Sequence, residues 1–130
     1  MSITSPIPVR ATAGRSGYAV LAAALLVALI LAAIRYDAGI WQIALFGVGP
    51  DLALFAGAGS GLAKGQLHPR AVPAYNLAHR FSGPFALAVL AALGLLSAGL
   101  FVGALAWAFH IALDRSLGYG SRTRDGFQRP

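Results

Sequence analysis

Apolar positions along this chain fall in long unbroken runs. They show neither the alternation of a half-buried strand nor the narrow stripe of a surface helix. Tyr18 to Ile34 is a run of 17 residues without a charge. That is close to the lower limit of about 17–25 residues for a helix that crosses a bilayer. Its many alanines would let it pack closely on neighbours. A second run, Ile40 to Ala63, is interrupted by GVGPD at 47–51. Pro50 removes a backbone donor there and predicts a kink, tolerated in a membrane only where protein or water satisfies the freed carbonyls. Between Arg80 and His110 lie 29 residues without an ionisable side chain. One crossing needs about 20, so this stretch and its flanks read as two helices, roughly 73–96 and 99–117, turned at Ser97-Ala98-Gly99. The pattern predicts an all-α fold: a four-helix transmembrane bundle with Pro-kinked second and third helices, the third bent at Pro84. The expected organisation is a loose N-terminal tail over 1–16, a single transmembrane domain over 17–120 and a basic cytoplasmic tail over 121–130.

Composition agrees with a bilayer as solvent. The chain is 58% hydrophobic and 11% charged, against roughly 25% charged in soluble domains. In water such a chain would expose large apolar patches. The net charge of +6 comes from bases scattered between the apolar runs. No basic stripe with interleaved aromatics appears, so nucleic acid is excluded as a partner. With four crossings, both tails and the 64–73 loop share a side that carries nearly all the Lys and Arg. The other side has only Arg35, balanced by Asp37. The positive-inside rule then places both termini in the cytoplasm. Arg10 and Arg15 before the first run resemble a signal peptide, but no small-x-small cleavage site follows, so a retained span is expected. The absence of cysteine excludes disulfides and thiol catalysis. Membrane lipid is the expected partner. The small-residue pairs Gly57/Gly61 and Gly99/Gly103 favour packing inside the bundle, with an oligomer or protein partner as their other use.

Ionisable groups within the runs are few and costly, so they are expected to face inward and find partners. They are Asp51 in the second run, His79 in the third, and His110 with Asp114 in the fourth. His110 and Asp114 are four apart and share a helix face. Counting 1.5 Å per residue puts His79 and His110 about 9–10 Å deep and Asp114 about 4 Å deep, with Asp51 deeper as a floor. Two imidazoles and two carboxylates at converging positions form a ligand set for a divalent metal such as Zn, Mn or Fe. Tyr75 and Asn76 would support the site or bind substrate, and Arg115 would contact an anion or head group. A metal open to water would support hydrolysis of a lipid-like or head-group substrate. Two other readings stay open: a polar network that only fixes helix packing in a non-enzymatic accessory subunit, and proton or ion passage.

The residues PDL at 50–52, YNLAH at 75–79, HIALDRSLGYG at 110–120 and GF at 126–127 resemble a bacterial family of small multipass membrane proteins. That family is domain-of-unknown-function family 4260. The match runs from about residue 17 to 127, and its specific part is YNxxH with HxxxDRxxGYG. The resemblance implies a four-helix protein of the bacterial cytoplasmic membrane. It draws attention to Asp51, Tyr75, Asn76, His79, His110, Asp114, Arg115, Gly118, Tyr119 and Gly120, and brings no activity with it. A more distant likeness to membrane-bound metal-dependent hydrolases is analogy only. Two departures stand out. Ser16-Gly17-Tyr18 stands where family members commonly carry an acid, and Gln128-Arg129-Pro130 replaces a His-containing tail.

Overall fold

The computed structural model describes residues 9–37 and 40–129, with side chains from residue 14 onward. Residues 1–8 of the expected tail, Ala38 and Gly39 between the first two apolar runs, and Pro130 lie outside the described residues. The described chain is all-α. Its helices are α1 (Val9–Tyr36), α2 (Ile40–Val48), α3 (Leu52–Ala56), α4 (Val72–Ala78), α5 (Ser82–Ala92) and α6 (Ala98–Ser116), with 3₁₀ turns at Gly49–Asp51 and Pro69–Ala71. Among the described residues, strand-like pairing is confined to one isolated bridge, Arg122 with Gln128. α1 from Gly14 onward and α6 are long and apolar enough to cross a membrane.

α6 is the central element, packed against α1, α2 and α5. α1 runs antiparallel to it. Arg15 near its start donates to the Ser116 carbonyl at 3.1 Å, and Tyr36 at its end meets Phe101 edge-on with ring centroids 6.2 Å apart. α2 runs alongside α6 in the same direction, with Gln42 lying over Gly99 and Phe46 over Gly103. Leu29 and Ala32 of α1, and Val102 and Ala106 of α6, form the buried core, with Ile43 and Phe46 packed on it. Small side chains on α6 let the neighbouring backbones close in. A Cβ at Gly103 would collide with the Phe46 ring, and one at Gly99 with the Gln42 amide. Gly57 likewise receives Leu67. These small-residue positions are thus filled within the chain, whereas Gly61 has nothing against it.

Several boundaries differ from expectation, each for a local reason. α1 begins at Val9, inside the stretch expected to be loose; Pro8 is the last helix-breaking residue before it. The second leg ends at Ala56 rather than Ala63, because Gly57 admits Leu67 and its carbonyl accepts from the His68 N–H at 2.8 Å. The third leg is not one helix kinked at Pro84. α4 stops at Ala78 and α5 starts at Ser82, so Pro84 lies in a first helical turn, where a missing N–H has no helical partner to lose. The break falls there because side chains take the carbonyls that would continue the helix. The Trp107 indole N–H donates to Ala78 at 2.7 Å, and Arg115 donates to His79 at 3.4 Å.

α5 closes in a Schellman pattern, with Leu95 N–H to Leu90 at 3.0 Å and Gly94 N–H to Ala91 at 3.1 Å. α6 closes the same way through Tyr119 N–H to Asp114 at 2.8 Å, with Gly118 at φ 92°, a conformation that favours glycine. This is the helix stop expected from GYG. The segment expected as a tail then folds back. Thr123 N–H donates to Phe127 at 2.8 Å, Leu67 N–H donates to Gly126 at 2.9 Å, and the Gln66 amide donates to Asp125 at 2.8 Å.

Gly126 has φ 97°, and a Cβ there would strike the Leu67 backbone. Gly126→Ala is therefore expected to weaken the folded-back segment by about 1–3 kcal/mol, the usual cost of such strain. Hydrogen exchange should accelerate at Leu67, Arg122 and Thr123 while the amides of α1 and α6 keep their protection. Unchanged exchange at Leu67 would refute the docking.

Candidate metal centre

The residues singled out from the sequence converge. Asp51 sits in the 3₁₀ turn between α2 and α3, His79 caps α4, and His110 and Asp114 occupy successive turns of α6. One ligand atom from each lies within 4.8 Å of all the others. His79 Nε2 is 3.1 Å from Asp51 Oδ1 and 3.3 Å from Asp114 Oδ2. His110 Nε2 is 3.2 Å from Asp51 Oδ1 and 3.3 Å from Asp114 Oδ2. The two Nε2 atoms are 3.4 Å apart. Ligand atoms placed tetrahedrally about 2.0–2.1 Å from a centre are separated by about 3.3–3.4 Å, so five of the six separations have the scale of a tetrahedral site. The side chains of His79 and His110 are 2% and 10% exposed, and those of Asp114 and Asp51 are 20% and 38% exposed. The cluster is thus walled on the histidine side and open beside Asp51.

Hydrogen bonds settle which ring nitrogen faces the cluster. His79 Nδ1 lies 2.7 Å from the Tyr75 carbonyl, and His110 Nδ1 lies 2.7 Å from the Gly47 carbonyl. A carbonyl only accepts, so each Nδ1 carries a proton and donates it. Each Nε2 is left pointing at its counterpart and at both carboxylates. With both Nε2 atoms bare, two lone pairs and two negative charges converge with nothing positive between them. With both protonated, the two imidazolium groups balance the two carboxylates but oppose each other at 3.4 Å. A divalent cation at the centre would meet all four donors at once and would likewise balance both carboxylates. Fixing one imidazole nitrogen on a carbonyl so that the other can ligate is the usual second-layer support of metal sites.

The other expected residues divide. Tyr75 supports the cluster through its carbonyl and through its ring, stacked on His79 at a centroid distance of 3.9 Å. Its phenol is held above its ordinary pKa by burial and stays neutral. Asn76 turns away to the folded-back segment, where its amide donates to the Arg122 carbonyl at 3.0 Å and accepts the Arg122 N–H at 2.7 Å. Arg115 donates to Tyr18 Oη at 2.9 Å, lies over the Tyr18 and Phe81 rings, and holds the His79 carbonyl. Tyr119 walls a cavity of about 190 Å³ beside Asp51 and Asp114, together with Tyr75, Arg122 and Gln128. Sequence reading missed the Gly47 carbonyl, Trp107, Arg122 and Gln128. The four-residue spacing of Tyr75 and His79 was a visible sign of an i to i−4 bond; no pattern signalled a partner for His110 lying 63 residues away.

Fold and site together define an all-α protein with two helices long and apolar enough to cross a membrane and a His–Asp cluster toward one end of its central helix. The chain belongs to the family described as a domain of unknown function (DUF4260), whose model matches residues 19–130. No curated protein and no solved structure matches it significantly.

The tautomers are open to direct measurement. ¹⁵N NMR of histidine-labelled protein at neutral pH should show a protonated Nδ1 at both His79 and His110. A ring with bare Nδ1 and protonated Nε2 at either position would contradict the carbonyl-anchored geometry.

Proposed function

We propose that this chain is an integral membrane protein that holds one divalent metal ion between Asp51, His79, His110 and Asp114. The observation that carries the reading is the convergence of four donor atoms, five of their six separations being 3.1–3.4 Å, from two carboxylates and two rings whose Nδ1 protons are committed to backbone carbonyls. Mixed imidazole and carboxylate donors suit Zn, Mn or Fe.

The membrane setting is supported by the surface. Val20 (71%) and Ile34 (74%) on α1, Phe55 (79%) on α3 and Phe85 (72%) on α5 are exposed, which in water would be an association liability. In a four-helix transmembrane bundle, α1 and α6 would be the full crossings, and Ile40–Ala56 and α5 the shorter legs. α4 and the folded-back segment would lie at the polar end. Arg15, Arg115 and Arg122 gather at that end, and the positive-inside rule would make it cytoplasmic. The family resemblance implies a bacterial cytoplasmic membrane.

The chemistry this arrangement favours is metal-assisted hydrolysis of a polar head group. The half-exposed Asp51 and the adjoining cavity leave room for water, whose pKa a divalent ion lowers toward about 7. A second reading is a non-enzymatic accessory subunit in which the metal only clamps three elements together. It is favoured by the full set of four protein ligands, the habit of structural sites.

Detergent-purified protein should contain about one divalent ion per chain, and the His79→Ala/His110→Ala variant should contain none. Parent protein that is folded but metal-free after growth with zinc, manganese and iron would overturn the metal reading. Chelation should lower Tm under either functional reading. Release of a water-soluble head group from phospholipid vesicles, lost in the double variant, would select hydrolysis. A metal-loaded protein inert on such vesicles would select the clamp.

A further inference from the structure

A second, larger cavity of about 500 Å³ opens at the same end of the molecule, and nothing in the metal reading uses it. Its walls include Arg15 from α1, Arg115 from α6, Arg129 from the folded-back segment, and the hydroxyl-bearing Tyr18, Tyr119 and Ser121. Every one of these side chains can donate a hydrogen bond. The ion pairs among the described residues all join His79 or His110 to Asp51 or Asp114, so no described carboxylate pairs with the three guanidiniums. Asp114, adjacent to Arg115, faces the histidines instead, and Asp125, the acid nearest Arg129 in sequence, forms no ion pair among the described residues.

We propose that this cavity binds a phosphate group. Three positive charges lining one cavity repel unless an anion lies between them. Guanidinium forks match the tetrahedral oxygens of a phosphate better than they match a halide. Arg115 is held in place from behind by its bond to Tyr18 and by the Tyr18 and Phe81 rings, so part of its ordering is already built into the fold. Gly118 and Gly120 also line the cavity; the Arg15 guanidinium lies against Gly118, and the space where a Gly120 side chain would stand is open. Arg15 lies one residue inside the start of the first apolar span, and Arg115 one residue inside the end of the other. In a bilayer that is the level of the lipid phosphates.

Tyr119 is shared by this cavity and by the smaller one beside Asp51 and Asp114. A phosphate-bearing molecule anchored on the arginines would therefore reach the His–Asp cluster past a single side chain. That extension, which makes the larger cavity the recognition half of the metal site, rests on the metal reading above. The phosphate site itself does not.

The test uses the full chain reconstituted in phosphatidylcholine nanodiscs and observed by ³¹P NMR, with metal content measured on the same samples. One arm adds inorganic phosphate; the other dopes the nanodiscs with phosphatidic acid. A shifted or broadened resonance in either arm supports the site, and the arm that responds identifies a soluble phosphate or a lipid head group as its source. Affinity should fall about tenfold or more for each guanidinium removed, the scale of one charge-assisted hydrogen bond. Arg129→Gln, at an exposed position, tests this with least risk to folding, and Arg15→Gln/Arg115→Gln/Arg129→Gln should abolish it. Metal content should be unchanged in Arg129→Gln. No response in either arm, or an equal response in the folded triple variant, would overturn the phosphate site whatever the metal content. Phosphate binding by a metal-free parent would leave the site standing and sink only the metal reading.

Discussion

Two backbone carbonyls, those of Gly47 and Tyr75, govern the polar end of this molecule. Each takes the Nδ1 proton of one histidine at 2.7 Å and so turns the opposite nitrogen inward. Neither carbonyl is available by accident. Pro50 brings no N–H to α2, and the 3₁₀ turn at Gly49–Asp51 shortens the bonding pattern by one residue. The Gly47 oxygen is thereby left for His110. The same turn presents Asp51 toward the rings. The Tyr75 oxygen lies in the last turn of α4, where it accepts both the His79 N–H and the His79 ring.

Packing of small residues on α6 makes those bonds reachable. Gly99 and Gly103 allow α2 to lie close enough that Gly47 meets His110 one ring away. Further along α6, Trp107 and Arg115 reach the opposite neighbour and hold the carbonyls of Ala78 and His79. They end α4 at the residue whose ring must face the cluster. One helix thus contributes two of the four acidic and imidazole groups and also the side chains that orient a third. What holds these elements together is close apolar packing along α1, α2 and α6, which in a bilayer acts through van der Waals contact, so the polar end is assembled on a core some distance from it.

Much of this was legible in the sequence, in a specific sense. Periodic and compositional signals carried the long apolar elements, the break at Pro50 and the stop at Gly118. The scarcity of ionisable residues was enough to pick Asp51, His79, His110 and Asp114 out of the chain, since an unpaired charge in such surroundings is too costly to be idle. Contacts without periodicity were not legible. Pro84 looked like a kink because a proline in an apolar run usually is one. Its true place in a first turn depends on Trp107 and Arg115, more than 20 residues away. The fold-back of residues 119–129 rests on bonds from Asn76, Gln66 and Leu67, across spans of some 46–59 residues that no local pattern encodes.

The legs of the molecule are unequal. At 1.5 Å per residue, the 23-residue span Gly14–Tyr36 of α1 measures about 35 Å and the 11 residues of α5 only about 16 Å. Hydrocarbon is about 30 Å thick, and a short apolar leg is met by thinning of the lipid beside it, at fractions of a kcal/mol per Å. Set in a bilayer, the protein would be a wedge: lipid along α1 would keep its full depth, while lipid along α5 would be drawn in toward the Leu93–Ser97 turn. Thin bilayers would accept that shape at lower cost than thick ones. The protein would accordingly partition by membrane thickness, whatever is bound at its polar end.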